Sequence, residues 1–384
     1  MMHRNGTIAA SFYCCLAEIR EFFRTLDYCT NMQRVLPVVA RLRAKLSGNP
    51  QIFARASEIV ELAPAVDRFG PAPIALPGEF DRVVAVQEDT SIAIELERLR
   101  EGQRQHGPTI ACRIDNAVLG DGTLYFSGGY QVIRGGSNAP LLRRYSDCVG
   151  EMQLCTDYFI DRYFGHWATD GLLLELLAAQ RSVRGLKLAG TPWMHEEGYR
   201  QLCGLKITRS HHARVERLWV INDDGINDGW ILRMEELRRR VRSAAVPNAP
   251  KRVMLTRGTL GAKRALVNSS EVQGLLVRLG FKIVYPELET ARGLAEKLCG
   301  VEIVIAVEGS AQNHCWLAMP CQSSFVAIQP PTRFNAWAKS FADAIGINWA
   351  YVVADPHPEG FILPADRLLR TIDEVVRVAA SRHS

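Results

Sequence analysis

Hydrophobic positions change their period twice along this chain. In the first 60 residues, Phe12, Leu16, Ile19, Phe22 and Phe23 recur every three to four positions, as do Leu36, Val39, Leu42 and Leu46. That spacing predicts helices, and Ser47-Gly48-Asn49-Pro50 interrupts it. After a loop marked by Pro71, Pro73, Pro77 and Gly78, the pattern becomes short strand-like runs at 82–86, 109–114, 124–126 and 130–133. Turn signals at Gly120-Asp121-Gly122 and Gly128-Gly129 separate them. From about residue 155 helix and strand alternate: the amphipathic GLLLELLAAQ is a helix, and Leu186 to Leu188, Ile207 and Leu218 to Ile221 are strand candidates.

Val246-Pro247-Asn248-Ala249-Pro250 is the best linker in the chain. Beyond it the rhythm is clean. Strands are expected at 252–255, 281–284, 301–307 and 324–328, and helices at 270–279, 291–298 and after Ser310. Strands alternating with helices of this length predict an α/β protein with a parallel, doubly wound sheet. The expected organisation is a helical extension (1–65), a first domain with a β-rich lead-in (66–246) and a second domain (247–384) whose last helix is free to cross back.

Composition removes whole classes of function. Of 384 residues, 47% are hydrophobic and 23% charged, which is ordinary for a folded protein rather than a disordered one. No apolar run approaches the ~18–20 residues of a membrane span. Arg20, Glu21 and Arg24 interrupt the first apolar stretch, so a secretory leader is not expected and the reading is cytoplasmic. The formal charge of +5 is not gathered for nucleic acid: its densest stretch includes Arg238 to Arg242, read as the solvated face of a helix. Ten cysteines contain no C-x-x-C, and no H-E-x-x-H occurs, so zinc-ligand spacings are missing. Cys155 and Cys315 read as small core residues.

Three places carry candidate chemistry. The first is the turn Glu308-Gly309-Ser310-Ala311-Gln312-Asn313, after the apolar strand VEIVIAV. Ligands of open parallel sheets bind beyond the carboxyl ends of strands, and Gly309 lets backbone approach a diphosphate. The plain alternative is a strand–helix turn capped by Ser310. The second is Thr256-Arg257, with Arg264 and Asn268 following; guanidinium groups match phosphate oxygens, or they are surface charge. The third is Gly165-His166-Trp167-Ala168-Thr169-Asp170. His166 and Asp170 are four apart on one helix face, a plausible general base with its carboxylate, or Asp170 is a helix cap.

In this order the three places resemble glycosyltransferase family 61, of the capsular-polysaccharide type. The resemblance lies in FGHWATDGLLLELL, RVMLTRGTLGAKRALVNSSEV, LLVRLGFKIVYPE and VEIVIAVEGSAQNHCWLAMP, and runs from about residue 80 to 330. Thr256 stands where the family often has Ser, and the last strand ends in Glu308 rather than His. The resemblance implies a glycosyltransferase B architecture, two Rossmann-like domains facing a cleft. It implies metal-independent, inverting transfer of a sugar from a nucleotide diphosphate, such as a UDP-sugar, to a glycan or lipid-linked acceptor in surface polysaccharide synthesis. Arg257, Arg264, Asn268, Glu308, Gly309, Ser310 and Asn313 would then bind the donor, and His166 and Asp170 would serve the acceptor.

Three rival readings remain at this stage. A metal-dependent transferase would use Asn222-Asp223-Asp224-Gly225 and Asp228, which turn chemistry explains as well. A non-catalytic carbohydrate- or nucleotide-binding protein would have the fold without needing His166 and Asp170. A dinucleotide redox enzyme lacks its G-x-G-x-x-G after a strand. The N-terminal helices and basic excess allow peripheral attachment to an anionic membrane face.

Overall fold

The computed structural model describes residues 36–120, 122–134, 148–243, 250–256 and 265–383. The expected helices before residue 36, most of the 246–250 linker, and Arg257 and Arg264 lie outside the described residues.

Two sheets organise the chain. The first joins β1 (Glu58–Ala63), β4 (Thr109–Gly120), β5 (Thr123–Phe126), β6 (Gly129–Val132), β7 (Cys148–Leu154), β8 (Arg184–Leu188), β9 (Thr208–Ser210) and β10 (His212–Asn222). Its order is β6-β5-β4-β10-β7-β8-β9, with β1 also on β4. β2 (Val66–Gly70) and β3 (Gly102–His106) form a separate two-stranded antiparallel sheet. The first sheet is mixed rather than wholly Rossmann-like. β7, β8, β9 and β10 run parallel, whereas β1, β4, β5 and β6 are antiparallel hairpin strands merged into the same sheet. The lead-in is therefore part of this sheet, not a unit in front of it. The sheet curls, so that Arg134, just past β6, donates to the carbonyl of Ala189, just past β8, at 3.0 Å. Ile114, Leu119, Leu124, Phe126, Leu154, Leu186 and Val215 fill one buried cluster from its strands.

The second sheet is all parallel, with the order β12 (Lys282–Val284), β11 (Arg252–Leu255), β13 (Ile303–Val307), β14 (Ser324–Gln329), β15 (Asn348–Val353). Every strand read from the sequence here is present within two residues. Counted along the chain the order is 2-1-3-4-5, which places the topological switch between β11 and β13. In the first sheet, β7 to β10 have the order 3-2-1-4 from the far edge, so a second switch lies between β7 and β10.

Helices pack on both sheets. They are α1 (Leu36–Ser47), α2 (Ile92–Leu99), α3 (Tyr158–Arg162), α4 (Phe164–His166), α5 (Leu172–Gln180), α6 (Glu196–Cys203), α7 (Asp228–Ser243), α8 (Ser269–Arg278), α9 (Ala291–Leu298), α10 (Asn313–Ala318), α11 (Trp337–Ala344) and α12 (Ala365–His383). Leu172 and Leu176 of α5, Met234, Leu237 and Val241 of α7, Leu294 and Leu298 of α9, and Trp316 and Leu317 of α10 belong to one buried cluster. The hydrophobic core is thus continuous across the expected domain boundary. Cys155 and Cys315 are both fully buried in it. α12 stays on its own sheet through Leu368, Ile372 and Val375 rather than crossing back.

Two expectations fail on packing. Residues 82–86 are not a strand of the first sheet: Arg82 closes a 3₁₀ turn, and the amides of Val84 and Ala85 donate to the carbonyl of Pro331 at 2.7 and 3.1 Å. The stretch is a strap over the second sheet, continuing from Ile74, which pairs in parallel with Ala350 on β15. Arg238 to Arg242 are not one solvated face. Arg239 is exposed and paired with Glu236, but Arg238 is buried and donates to the carbonyls of Trp316 and Met319. Those carbonyls end α10, where no intrahelical donor remains, so a guanidinium on α7 closes a helix of the other half.

Candidate active site

The most chemically loaded cavity, about 460 Å³, opens at the second switch point. Asp157 follows β7, and Ile221, Asp223, Asp224 and Ile226 follow or end β10. His166 and Asp170 line it from the helix side, and Trp337, Ser340 and Phe341 of α11 close it from the other half.

His166 ends α4, and residues Trp167–Gly171 form a π-helical turn leading into α5. Such turns insert an extra residue into a helix and occur frequently at functional sites. Here the turn keeps Asp170 over His166, with Nδ1 to Oδ2 at 2.8 Å. Asp170 is therefore a partner of the imidazole and not a helix cap. The two side chains are 30% and 34% exposed, open enough to meet a substrate. Burial alone would lower the His166 pKa. The hydrogen bond and charge of Asp170, with the charges of Asp157 and Asp89, outweigh it and raise the value above the ordinary 6.5. Burial raises the Asp170 pKa against the pull of His166. The rings of Trp337, Phe159 and Tyr163 lie 4.8, 5.4 and 6.0 Å from the imidazole.

Asp157 caps α3, its Oδ1 accepting from the amides of Phe159 and Ile160 at 2.8 and 2.7 Å. Asp223 is fully engaged: Arg233 donates to both carboxylate oxygens at 2.7 and 2.6 Å and the Thr109 hydroxyl donates at 2.6 Å. Asp228 pairs with Arg68. These engagements leave the Asn222–Gly225 segment doing the work of a braced turn. Among the described residues, no three His, Cys, Asp or Glu side chains gather as a metal site.

The turn after β13 sits against Gly165, the residue before His166. A Cβ built on Gly165 would lie 2.7 Å from Asn313 Nδ2 and 3.5 Å from Ser310 Oγ. The sequence-predicted sites around His166 and around Glu308 are thus brought together, across the two halves. Gly309 has φ 145° and ψ 178°, a conformation that is essentially glycine-only. The segment opens as a short 3₁₀ turn (Ser310–Gln312) before α10, and Ser310 does not act as a side-chain cap. Glu308 is buried and accepts from Arg333 at 3.1 Å. Gln312 Oε1 and Asn313 Oδ1 are buried acceptors with no partner among the described residues.

Thr256, at the end of β11, is buried and held by Gln273 at 3.2 Å. Asn268 turns away from the cleft chemistry. Its amide accepts from the Leu363 N–H at 3.1 Å and donates to the Leu363 carbonyl at 2.9 Å, anchoring the end of the segment that carries Arg257 and Arg264.

Residues 164–326 match the model of the Glycosyltransferase 61 family. Over this stretch the chain is similar to glycosyltransferase family 61. No curated protein matches the chain significantly. The matched stretch of family 61 begins at Phe164, two residues before His166, and ends in β14, so it holds both the His166–Asp170 pair and the Glu308 turn. Family 61 proteins transfer sugars, and the chain is accordingly a sugar-transferring enzyme with a sugar donor and an acceptor. Among the described residues of this family 61 chain, no helix is long and apolar enough to cross a membrane.

Sequence reasoning missed Trp337 and Phe159, which line the cavity. Trp337 lies outside the family match and carries no motif. The available signal was positional: it opens the helix after β14, on the side where strands of a parallel sheet present their carboxyl ends.

Proposed function

We propose that this family 61 enzyme inverts the anomeric centre of a nucleotide-diphosphate sugar without a metal, with His166 as the base. The observation that carries the proposal is the His166–Asp170 hydrogen bond, with the neighbouring Gly165 packed on Ser310 and Asn313 of the β13 turn. The acceptor enters the cavity and the donor occupies the β11–β13 switch, in a two-domain glycosyltransferase B arrangement divided near residues 246–250.

Ionised Asp170 accepts the Nδ1–H of His166, which leaves Nε2 unprotonated. Nε2 removes the proton from the acceptor hydroxyl as its oxygen forms a bond to C1 of the sugar. The bond from C1 to the diphosphate oxygen breaks on the opposite face, and its electron pair leaves with the diphosphate. Arg257, Arg264, Ser310 and Asn313 meet that growing charge, Asn268 holds the arginine-bearing segment, and Gly309 and Glu308 shape the turn. Electrostatic stabilisation of a developing charge typically contributes ~10²–10³-fold per donor. Glu308 is less available as a base than His166, because Arg333 engages its carboxylate within the turn.

The product is placed in surface polysaccharide such as a capsule, made on the cytoplasmic side from a glycan or lipid-linked acceptor, with peripheral membrane contact through the N-terminal helices. His166→Ala and Asp170→Asn are each expected to lower transfer by about 10²–10⁴-fold while nucleotide binding is kept. Near-normal transfer by both variants would sink the base assignment. Nucleotide-sugar binding by the wild type without transfer to any of a panel of acceptors would favour the non-catalytic reading. Full activity in EDTA is expected, and its loss would exclude the metal-independent route.

A further inference from the structure

His166 stands inside a partial box of aromatic rings. Phe159 of α3 and Tyr163, just after it, approach the imidazole with ring centroids 5.4 and 6.0 Å away. Trp337 approaches from α11 of the other half and is nearer, at 4.8 Å. An aromatic ring attracts a cation held within about 6 Å of its centroid, indole most strongly, and several rings together make a cage.

The Trp337 ring is held from behind. Phe341, one turn further along α11, meets it edge-on at 4.4 Å and 84°, and Trp230 of α7 stacks on Phe341 at 5.5 Å. Both supporting rings are buried. A ladder of three rings thus runs from the core to the base. The Trp337 amide is fixed as well, donating to Asn335 Oδ1 at 2.7 Å. The indole itself is half-buried and lines the catalytic cavity.

The proposed chemistry gives these rings a task. When Nε2 takes the proton of the acceptor hydroxyl, a neutral imidazole becomes an imidazolium. Asp170 answers that charge at Nδ1, at 2.8 Å. The rings surround the rest of it.

We infer that Trp337 is a positioning residue for the base: with Phe159 and Tyr163 it forms a cage around His166 that favours the imidazolium of the transition state. This deepens the proposed function and rests on it for the identity of the base. The nearest wall comes from α11, so the cage is complete only when the two halves are together.

Rings that merely buried the imidazole would act in the opposite sense, because burial disfavours the charged form. The sign of the change on removing the indole therefore separates the two roles. The charged surroundings stay constant in such a variant. Besides burial, Asp170, Asp157 and Asp89 act on the imidazole. The cavity also carries Asp223, bound by Arg233, and Asp224 after β10, Arg98 of α2, paired with Glu95, and His106 of β3.

The test follows the His166 imidazole by nuclear magnetic resonance in the full chain carrying isotope-labelled histidine, its signal identified by its loss in His166→Ala. Trp337→Leu keeps an apolar side chain and removes the indole. Its His166 pKa is expected to fall by about half a pH unit or more, and its kcat on the high-pH plateau by about three- to tenfold. Trp337→Phe should keep most of both values. Phe159 is 48% exposed, so Phe159→Leu spares the core; it should move the pKa the same way and decides the matter if Trp337→Leu does not fold. A pKa that is unchanged or raised overturns the inference. So does a wild-type plateau kcat in Trp337→Leu when transfer is lost in His166→Ala. Failure of the base assignment reads differently: His166→Ala would keep transfer, while the imidazole pKa would still fall in Trp337→Leu.

Discussion

At the scale of single residues, the pH behaviour tests the proposal that His166 is the base. Its folded pKa lies above 6.5 because the hydrogen bond and charge of Asp170 outweigh burial. A base must be unprotonated, so kcat/KM is expected to rise with pH through that raised value and then level off. Asp170→Asn removes the charge that raises the pKa, so the inflection should move towards lower pH while the plateau falls. The stability consequence has the opposite sign. A group whose folded pKa is raised stabilises the fold below its unfolded value, and that stabilisation is lost as pH climbs through the folded value. Denaturant midpoints of the wild type should therefore drift down over the same pH window in which transfer rises, and the drift should shrink in Asp170→Asn. A rate profile already flat from pH 5.5 upwards would contradict a raised His166 in the role of base.

At the scale of elements, the decisive contact is the π turn and α4 pressed on the β13 turn. Gly165 permits it, since a Cβ there would meet Asn313 Nδ2 at 2.7 Å. Gly165→Ala must displace the Asn313 amide or move the two turns apart. Transfer is expected to fall by about tenfold or more, because small misplacements of reacting groups cost up to about 10²-fold, while far-ultraviolet circular dichroism stays native. Wild-type rates in this variant would show that the contact does not set catalytic geometry. The second sheet was legible in the sequence because its strands are short, largely apolar and bounded by helices of clear period. Ile303–Val307 and Ser324–Gln329 are buried along their whole length. The first sheet was less legible. β7 carries Gly150 and Glu151 among its apolar residues, and β1 alternates only weakly. The pair His166–Asp170 could be read from its spacing, but its π turn could not, because one inserted residue leaves no mark on hydrophobic period. Nor could the role of Asn268, whose amide is committed to Leu363, ninety-five residues further on.

At the scale of the whole molecule, α5, α6 and α7 of the first half and the second sheet share one buried cluster, and Arg238 ties α7 to the last carbonyls of α10 across it. A cleft between two halves can hold a base on one side and a donor turn on the other only if the halves keep their relation. The shared core supplies that rigidity. Arg238→Met keeps the apolar stem and deletes the donors, leaving the Trp316 and Met319 carbonyls buried without this partner. An unsatisfied buried polar group costs roughly 1–3 kcal/mol, so stability should fall by about 2–4 kcal/mol with little loss of secondary structure. Because the same cluster joins both halves, wild-type amides of β10 and β14 should become exchangeable at the same denaturant concentration, as one cooperative unit. In Arg238→Met the two are expected to separate, with the seam opening before either sheet. Hydrogen exchange followed by peptide mass analysis reads both sheets at once. Separate transitions for β10 and β14 already in the wild type would mean that the seam is an interface between independent domains, and the cleft would then depend on substrate to close it.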